Sequence, residues 1–222
     1  MLQKSTLQFL KNLKNNNDRT WFEEHRNEFE KAKMDFEEFV TKVISDLSKV
    51  NPPIGKLLTK DCIFRIYRDV RFSKNKLPYK AHFSASINEG GKKSNLSGVY
   101  VHIEPGGDWG NFIGGGVWNP ESENLKKIRQ EIEYNHVEFF KIIHHKKFKE
   151  LFGDLSQENK LKRLPKGLEP GHPAEEYLKL NSFTVMCPIN TKDVTTEQLR
   201  KSIVSTYKTM MPFLNFINRA VE

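Results

Sequence analysis

The apolar residues of this 222-residue chain change their period near Asn51, and that change restricts it to folds that mix helix with sheet. Phe22, Phe29, Phe36, Val40, Val43, Leu47 and Val50 recur at steps of seven, three and four, which places them on one helix face. Thr20-Trp21-Phe22-Glu23 has capping-box spacing, so the helix is expected to start there, and Asn51-Pro52-Pro53 stops it. About thirty residues at 1.5 Å each make a rod of about 45 Å, long enough to cross a sheet. A shorter helix is expected over 7–13, ended by the polar run 15–18. From residue 61 the period is two. Residues 61–72 alternate as a first strand, with Cys62, Phe64, Ile66, Arg68, Val70 and Phe72 on one face and Ile63, Arg65, Tyr67, Asp69 and Arg71 on the other. Further strands are expected over 80–87, 99–104, 109–113 and 183–189, with turns at Gly90-Gly91 and Pro105-Gly106-Gly107.

Helices should follow the glycine run, with Asn119 as N-cap and Pro120 at the first helical position, then over 137–143. Thr195 to Gln198 should cap a last helix that turns Leu199, Ile203, Tyr207, Met210, Leu214 and Ile217 inward and kinks at Pro212. No linker or repeat divides the chain. The reading is one α+β domain over 1–222, an antiparallel meander of four to five strands packed on a long N-terminal helix and a C-terminal helical part.

Sixteen Phe and 37% hydrophobic residues are enough for a core. The longest apolar run, about 183–189, is far short of the roughly 20 residues that span a bilayer, and no apolar leader opens the chain. Cys62 and Cys187 both sit in apolar runs and read as free buried thiols of a cytoplasmic protein. The net charge of +8 is uneven. Residues 60–93 hold nine Lys/Arg against three Asp/Glu, and 141–166 hold eight against three, which leaves the remainder slightly acidic. The second block reads as solvated helix and loop surface. The first is denser still, because Arg65 to Lys80 packs six cations around one carboxylate. Such a block suits a local anion site better than a surface coated for nucleic acid.

The polar residues of the 80–87 and 99–104 strands are all even-numbered, so an antiparallel register must sum to an even number to keep them together. A sum of 184 pairs Lys80 with Glu104, His82 with His102 and Ser84 with Tyr100; registers two residues either way keep the same face. His82, His102 and Glu104 are the candidate catalytic groups, since a His beside a carboxylate serves as a base near neutral pH. Arg65, Asp69, Arg71, Lys76, Tyr79, Lys80 and Tyr100 are the candidate ligand-binding residues. Gly115, Gly116 and Trp118 join them, because free N–H groups at a helix start attract anions. The same charges also describe a solvated sheet face whose ion pairs contribute little. Arg68 points to the apolar face and reads as a structural anchor needing an acid such as Glu24 or Glu28. His82, His102, Glu104 and Asp69 are also metal-ligating types, but no H-x-x-x-H or Cys pair sets their spacing, so no metal site is expected. No nucleotide motif, nucleophile elbow or cofactor signature appears.

Arg65-x-x-Arg68-Asp69-x-Arg71-Phe72, followed by Lys76 and Tyr79, resembles the signature of a bacterial and fungal family known only as a domain of unknown function. The resemblance extends through Asn16-Asn17-x-Arg19-x-Trp21-Phe22, Gly98-x-Tyr100-x-His102-Ile103-Glu104-Pro105, Gly114-Gly115-Gly116-x-Trp118-x-Pro120, Leu161-Lys162-Arg163-x-Pro165-Lys166-Gly167 and His172-Pro173. Asn75 stands where that family more often has Asp. The resemblance implies a single domain of this length and supplies no activity, cofactor or catalytic assignment. The functional expectation is therefore an anionic small ligand, bearing phosphate or carboxylate, on a basic sheet face, with hydrolysis one reaction such a face could serve. The alternatives are a nucleic-acid-binding or processing protein, and a non-catalytic module held by an Arg/Asp network. Whether the chain is an enzyme, and its oligomeric state, stay open.

Overall fold

The apolar stripe read from Phe22 to Val50 is split between two helices. In the computed structural model, which describes residues 1–222, α1 (Lys4–Asn15) is followed by α2 (Arg19–Glu24) and α3 (Arg26–Ser48). Asp18, not Thr20, caps α2, its carboxylate accepting the Trp21 N–H at 2.9 Å. The helix breaks at His25, which leaves helical geometry (φ −105°, ψ 20°), stacks its ring on Trp21 and turns Nδ1 to the Trp21 carbonyl oxygen, 2.8 Å away. What remains of the expected rod is α3, about 35 Å long, burying Phe29, Phe36, Val40, Val43 and Leu47.

After a 3₁₀ turn at Pro52–Lys56 comes α4 (Thr59–Cys62), a helical turn where a strand was expected. The chain then runs extended beside the sheet edge, with Ile63 bridged to Ala85 and Tyr67 to Tyr79. It leaves the edge at Asp69, whose carboxylate accepts the Arg71 N–H in a local turn. The expected 61–72 strand is thus a short irregular edge.

Four strands form the sheet: β1 (Phe83–Ile87), β2 (Gly98–Ile103), β3 (Phe112–Val117) and β4 (Phe183–Pro188), antiparallel in the order β1-β2-β3-β4. Ser84 faces His102 and Ser86 faces Tyr100, a register two residues from the central expectation that keeps every side chain on its expected face. The glycine run is part of β3 rather than a turn before a helix. A Cβ on Gly115 would lie 1.9 Å from Met210 Sδ, and one on Gly116 (φ 110°) 2.0 Å from the Phe183 carbonyl oxygen. Glycine there lets a helix and the neighbouring strand approach the backbone.

Between β3 and β4 lie α5 (Ser122–Tyr134), α6 (His136–Ile143), α7 (Lys146–Phe152) and the short α8 (Glu175–Leu178). α5 starts at Ser122, not Pro120, because Asn119 takes a left-handed conformation (φ 45°) and its N–H donates to Ser182 Oγ. The last helix, α9 (Gln198–Val221), buries all six residues expected to point inward and runs through Pro212 without ending. The hydroxyl of Thr196, not Thr195, accepts the Gln198 N–H. Helices α3 and α9 cover one sheet face, where Phe83, Ala85, Val99, Val101, Ile103, Ile113 and Val185 join the core. The even-numbered residues of the first three strands line the other face. Cys62 is buried, Cys187 half-buried, and both are free thiols. No helix is long and apolar enough to cross a membrane.

Candidate functional site

On that second face the strand alternation gathers a cluster of polar side chains with little access to water. His102 is only 5% exposed although it is polar, so it needs partners. Its ring stacks on Phe112 with centroids 4.7 Å apart. Nδ1 lies 3.2 Å from the Tyr100 hydroxyl, and Nε2 lies 3.4 Å from Glu104 Oε2. The His82 ring, diagonal to it across β1 and β2, is 4.2 Å away between centroids. The ligand atoms of His82, His102 and Glu104 all lie within 4.8 Å of one another. Asp69 is not among them.

Glu104 is positioned by the turn between β2 and β3. Its backbone N–H donates to Asn111 Oδ1 at 3.0 Å, and Oε2 accepts the Trp109 N–H at 3.2 Å. A Cβ on Gly107 would fall 2.0 Å from Glu104 Cγ and Cδ, so the glycine gives the carboxylate its place.

The edge segment brings cations to this cluster. Lys80 sits over the Phe64 ring at 5.6 Å, and its pKa is lowered by burial and by the charges of Arg65 and Arg68. Burial, aided by His102, Lys80 and Arg68, pushes His82 down to about 3. Burial also lowers His102, against the opposing pull of Glu104. Tyr100 is raised by burial, so it stays a neutral phenol. Both imidazoles are therefore neutral near pH 7. They suit hydrogen bonding or ligation, and they are weaker bases than an ordinary His.

The sixteen-residue basic run divides differently from its alternation. Arg68 was expected on the apolar face beside Glu24 or Glu28. It meets no carboxylate there; its N–H donates to the Pro78 carbonyl oxygen, and its charge acts on Lys80 and His82. The bend of the irregular edge undoes the period-two assignment. Asp69 binds Arg71 through two side-chain hydrogen bonds of 3.0 and 2.7 Å, in a pair that stands in solvent with Arg71 76% exposed. Lys76 Nζ donates to the Val70 carbonyl oxygen. Tyr79 lies in the core, stacked on Phe22 at 4.0 Å, with Asn17 bonding both its N–H and its carbonyl oxygen. Gly115 packs under α9, Gly116 lies beside β4, and Trp118 is 64% exposed beyond β3. The site thus brings together His82, His102, Glu104, Tyr100, Lys80, Arg65 and Arg68. It leaves out Asp69, Arg71, Lys76 and Tyr79.

Sequence reasoning missed Phe64, Phe112, Trp109 and Asn111. Phe112 and Phe64 had a signal, an aromatic at an alternating position. The roles of Trp109 and Asn111 run through a turn backbone that no periodicity describes.

A family model described as conserved hypothetical protein (DUF2461) matches residues 5–216. No curated protein and no solved structure matches the chain.

Proposed function

The chain belongs to that family, whose description names no activity, and on this premise we propose that the open sheet face binds a small molecule through its phosphate or carboxylate group. The observation that carries the reading is a set of cations without acidic partners. Arg68 and Lys80 stand beside His82, with Arg65 next to Lys80; none is in ion-pair contact with a carboxylate, although Arg65 also acts on Asp69, to which Arg71 is tied. Half-burying a lysine beside two arginines costs free energy unless an anion offsets it. An incoming phosphate would take charge-assisted hydrogen bonds from these groups, with Tyr100 and the two neutral imidazoles as further polar contacts.

The nucleic-acid reading draws less support. In the second basic block Lys149 pairs with Asp154, and Lys160 with Glu176 at 2.7 Å, which reduces the free charge available to a long polyanion.

Calorimetric titration with inorganic phosphate, pyrophosphate and nucleotides tests the proposal. At least one should bind, and K80M and R68Q should each weaken it about ten- to hundredfold, the equivalent of about 1.5–3 kcal/mol for a charge-assisted hydrogen bond. R71Q should leave the affinity unchanged. Failure of every anion to bind the wild type would remove the reading. Tight, salt-sensitive binding of DNA or RNA alone would replace it with the nucleic-acid one.

A further inference from the structure

The three groups at the centre of the face stand close enough to share one ion, and the hydrogen bond between His102 and Glu104 is a long one. We propose that His82, His102 and Glu104 hold a divalent first-row transition ion, with Zn²⁺ the ion their donor set suits best. His102 Nε2 and Glu104 Oε2 stand 3.4 Å apart, beyond the usual N–H···O distance of about 2.9 Å. Two donors each about 2.1 Å from a tetrahedral ion are about 3.4 Å apart, so this pair already has the separation of neighbouring ligands. His82 brings the third ligand atom within 4.8 Å of both.

Each ligand also has the outer support that metal sites use. The Tyr100 hydroxyl, 3.2 Å from His102 Nδ1, can accept that N–H and so leave the Nε2 lone pair facing Glu104. The Trp109 N–H and the closely packed Gly107 hold the Glu104 carboxylate, and Asn111 fixes its backbone. Phe112 locks the His102 ring plane by stacking. Two imidazoles and a carboxylate, without thiolate, suit Zn²⁺, Fe²⁺, Co²⁺ or Mn²⁺; the oxygens are too few for Ca²⁺. Three protein ligands leave a coordination position open to water, which is the pattern of catalytic rather than structural zinc. No other trio of His, Cys, Asp or Glu ligand atoms comes together in the molecule.

Lys80 and Arg68 repel a dication, and an anion in the open position offsets that repulsion. Metal and anion should therefore each tighten the other's binding. This coupling rests on the anion reading; the metal site does not.

The test is calorimetric titration of chelator-treated full-length protein with Zn²⁺, in buffer free of phosphate. Wild type should saturate at one ion per chain. H82N and E104Q should each weaken Zn²⁺ binding at least tenfold, and Y100F, which touches no metal, about 10- to 100-fold. Circular dichroism melts check that each variant folds, and if one ligand variant does not, the other and Y100F still decide. Co²⁺ in place of Zn²⁺ should give a visible ligand-field band that is lost in E104Q. Absence of saturable binding, or binding unchanged in H82N, E104Q and Y100F, would overturn the site and assign any uptake to surface histidines such as His144 and His145. Zn²⁺ binding without any anion affinity would keep the metal and remove the anion reading; the converse would do the opposite.

Discussion

At the residue scale, the chain separates charges that look alike in sequence. Arg68 and Arg71 are three positions apart in one basic run, yet Arg71 spends its charge on Asp69 in solvent while Arg68 has no acidic partner beside Lys80 and His82. The difference comes from the bend at Asp69, where a side-chain-to-backbone hydrogen bond ends the extended segment. Alternation can be read from sequence only while a strand stays regular, and the bend at Ile66, between the bridges of Ile63 and Tyr67, already breaks the period before Arg68. The even-numbered residues of the regular strands were legible, because a two-residue error in register leaves every face intact. His82, His102, Tyr100 and Glu104 were therefore found together from parity alone. Glycine carries a different lesson. Gly115 reads as a helix-start cradle in sequence and is a contact point for Met210 in the fold. G115V forces side-chain volume against Met210 and should cost about 1–3 kcal/mol, seen as a lowered melting temperature, with the anion and metal affinities of the folded fraction unchanged. A melting temperature equal to wild type would contradict the close packing of α9 on β3.

At the scale of elements, α3 and α9 hold the covered face of the sheet and are joined at their polar margin by one ion pair. Arg200 of α9 places Nε 2.8 Å from Asp46 Oδ2 of α3, and Nη1 3.0 Å from Glu197. Burial pushes the Asp46 pKa up, but the hydrogen bonds from Arg200 and Lys49 outweigh it, and the carboxyl is held below its usual value. A depressed folded pKa contributes stability above the unfolded value of about 3.9 and loses it as pH falls through the folded value. R200Q should thus be about 1 kcal/mol less stable than wild type above about pH 5, and the gap should narrow below about pH 4. Urea melts at pH 7 and pH 3.5 check this; a gap that is constant with pH would mean the pair carries no such linkage. The two long helices were legible because their apolar faces persist over many turns. The break at His25 was not, since it depends on a ring stacking back on Trp21, and capping-box spacing pointed to Thr20 when Asp18 does the capping.

At the scale of the whole molecule, the sheet divides the work. One face is buried under helices and fixes strand register; the other is free to carry polar groups held rigidly from below. The pairing of β1 with β2 places His102 in β2 between His82, just before β1, and Glu104, just after β2, and the turn between β2 and β3 holds Glu104 in place. The irregular edge before β1 then adds cations to one side of that cluster. A rigid polar floor with a basic border is the arrangement on which the proposed anion and metal binding rests. The most direct measurement is an anomalous difference map from crystals soaked in tungstate, a heavy analogue of phosphate. If the face binds anions, a peak should stand within hydrogen-bonding distance of Lys80 Nζ and the Arg68 guanidinium. Peaks confined to the second basic block around Lys146 and Lys147, with that face empty, would contradict it.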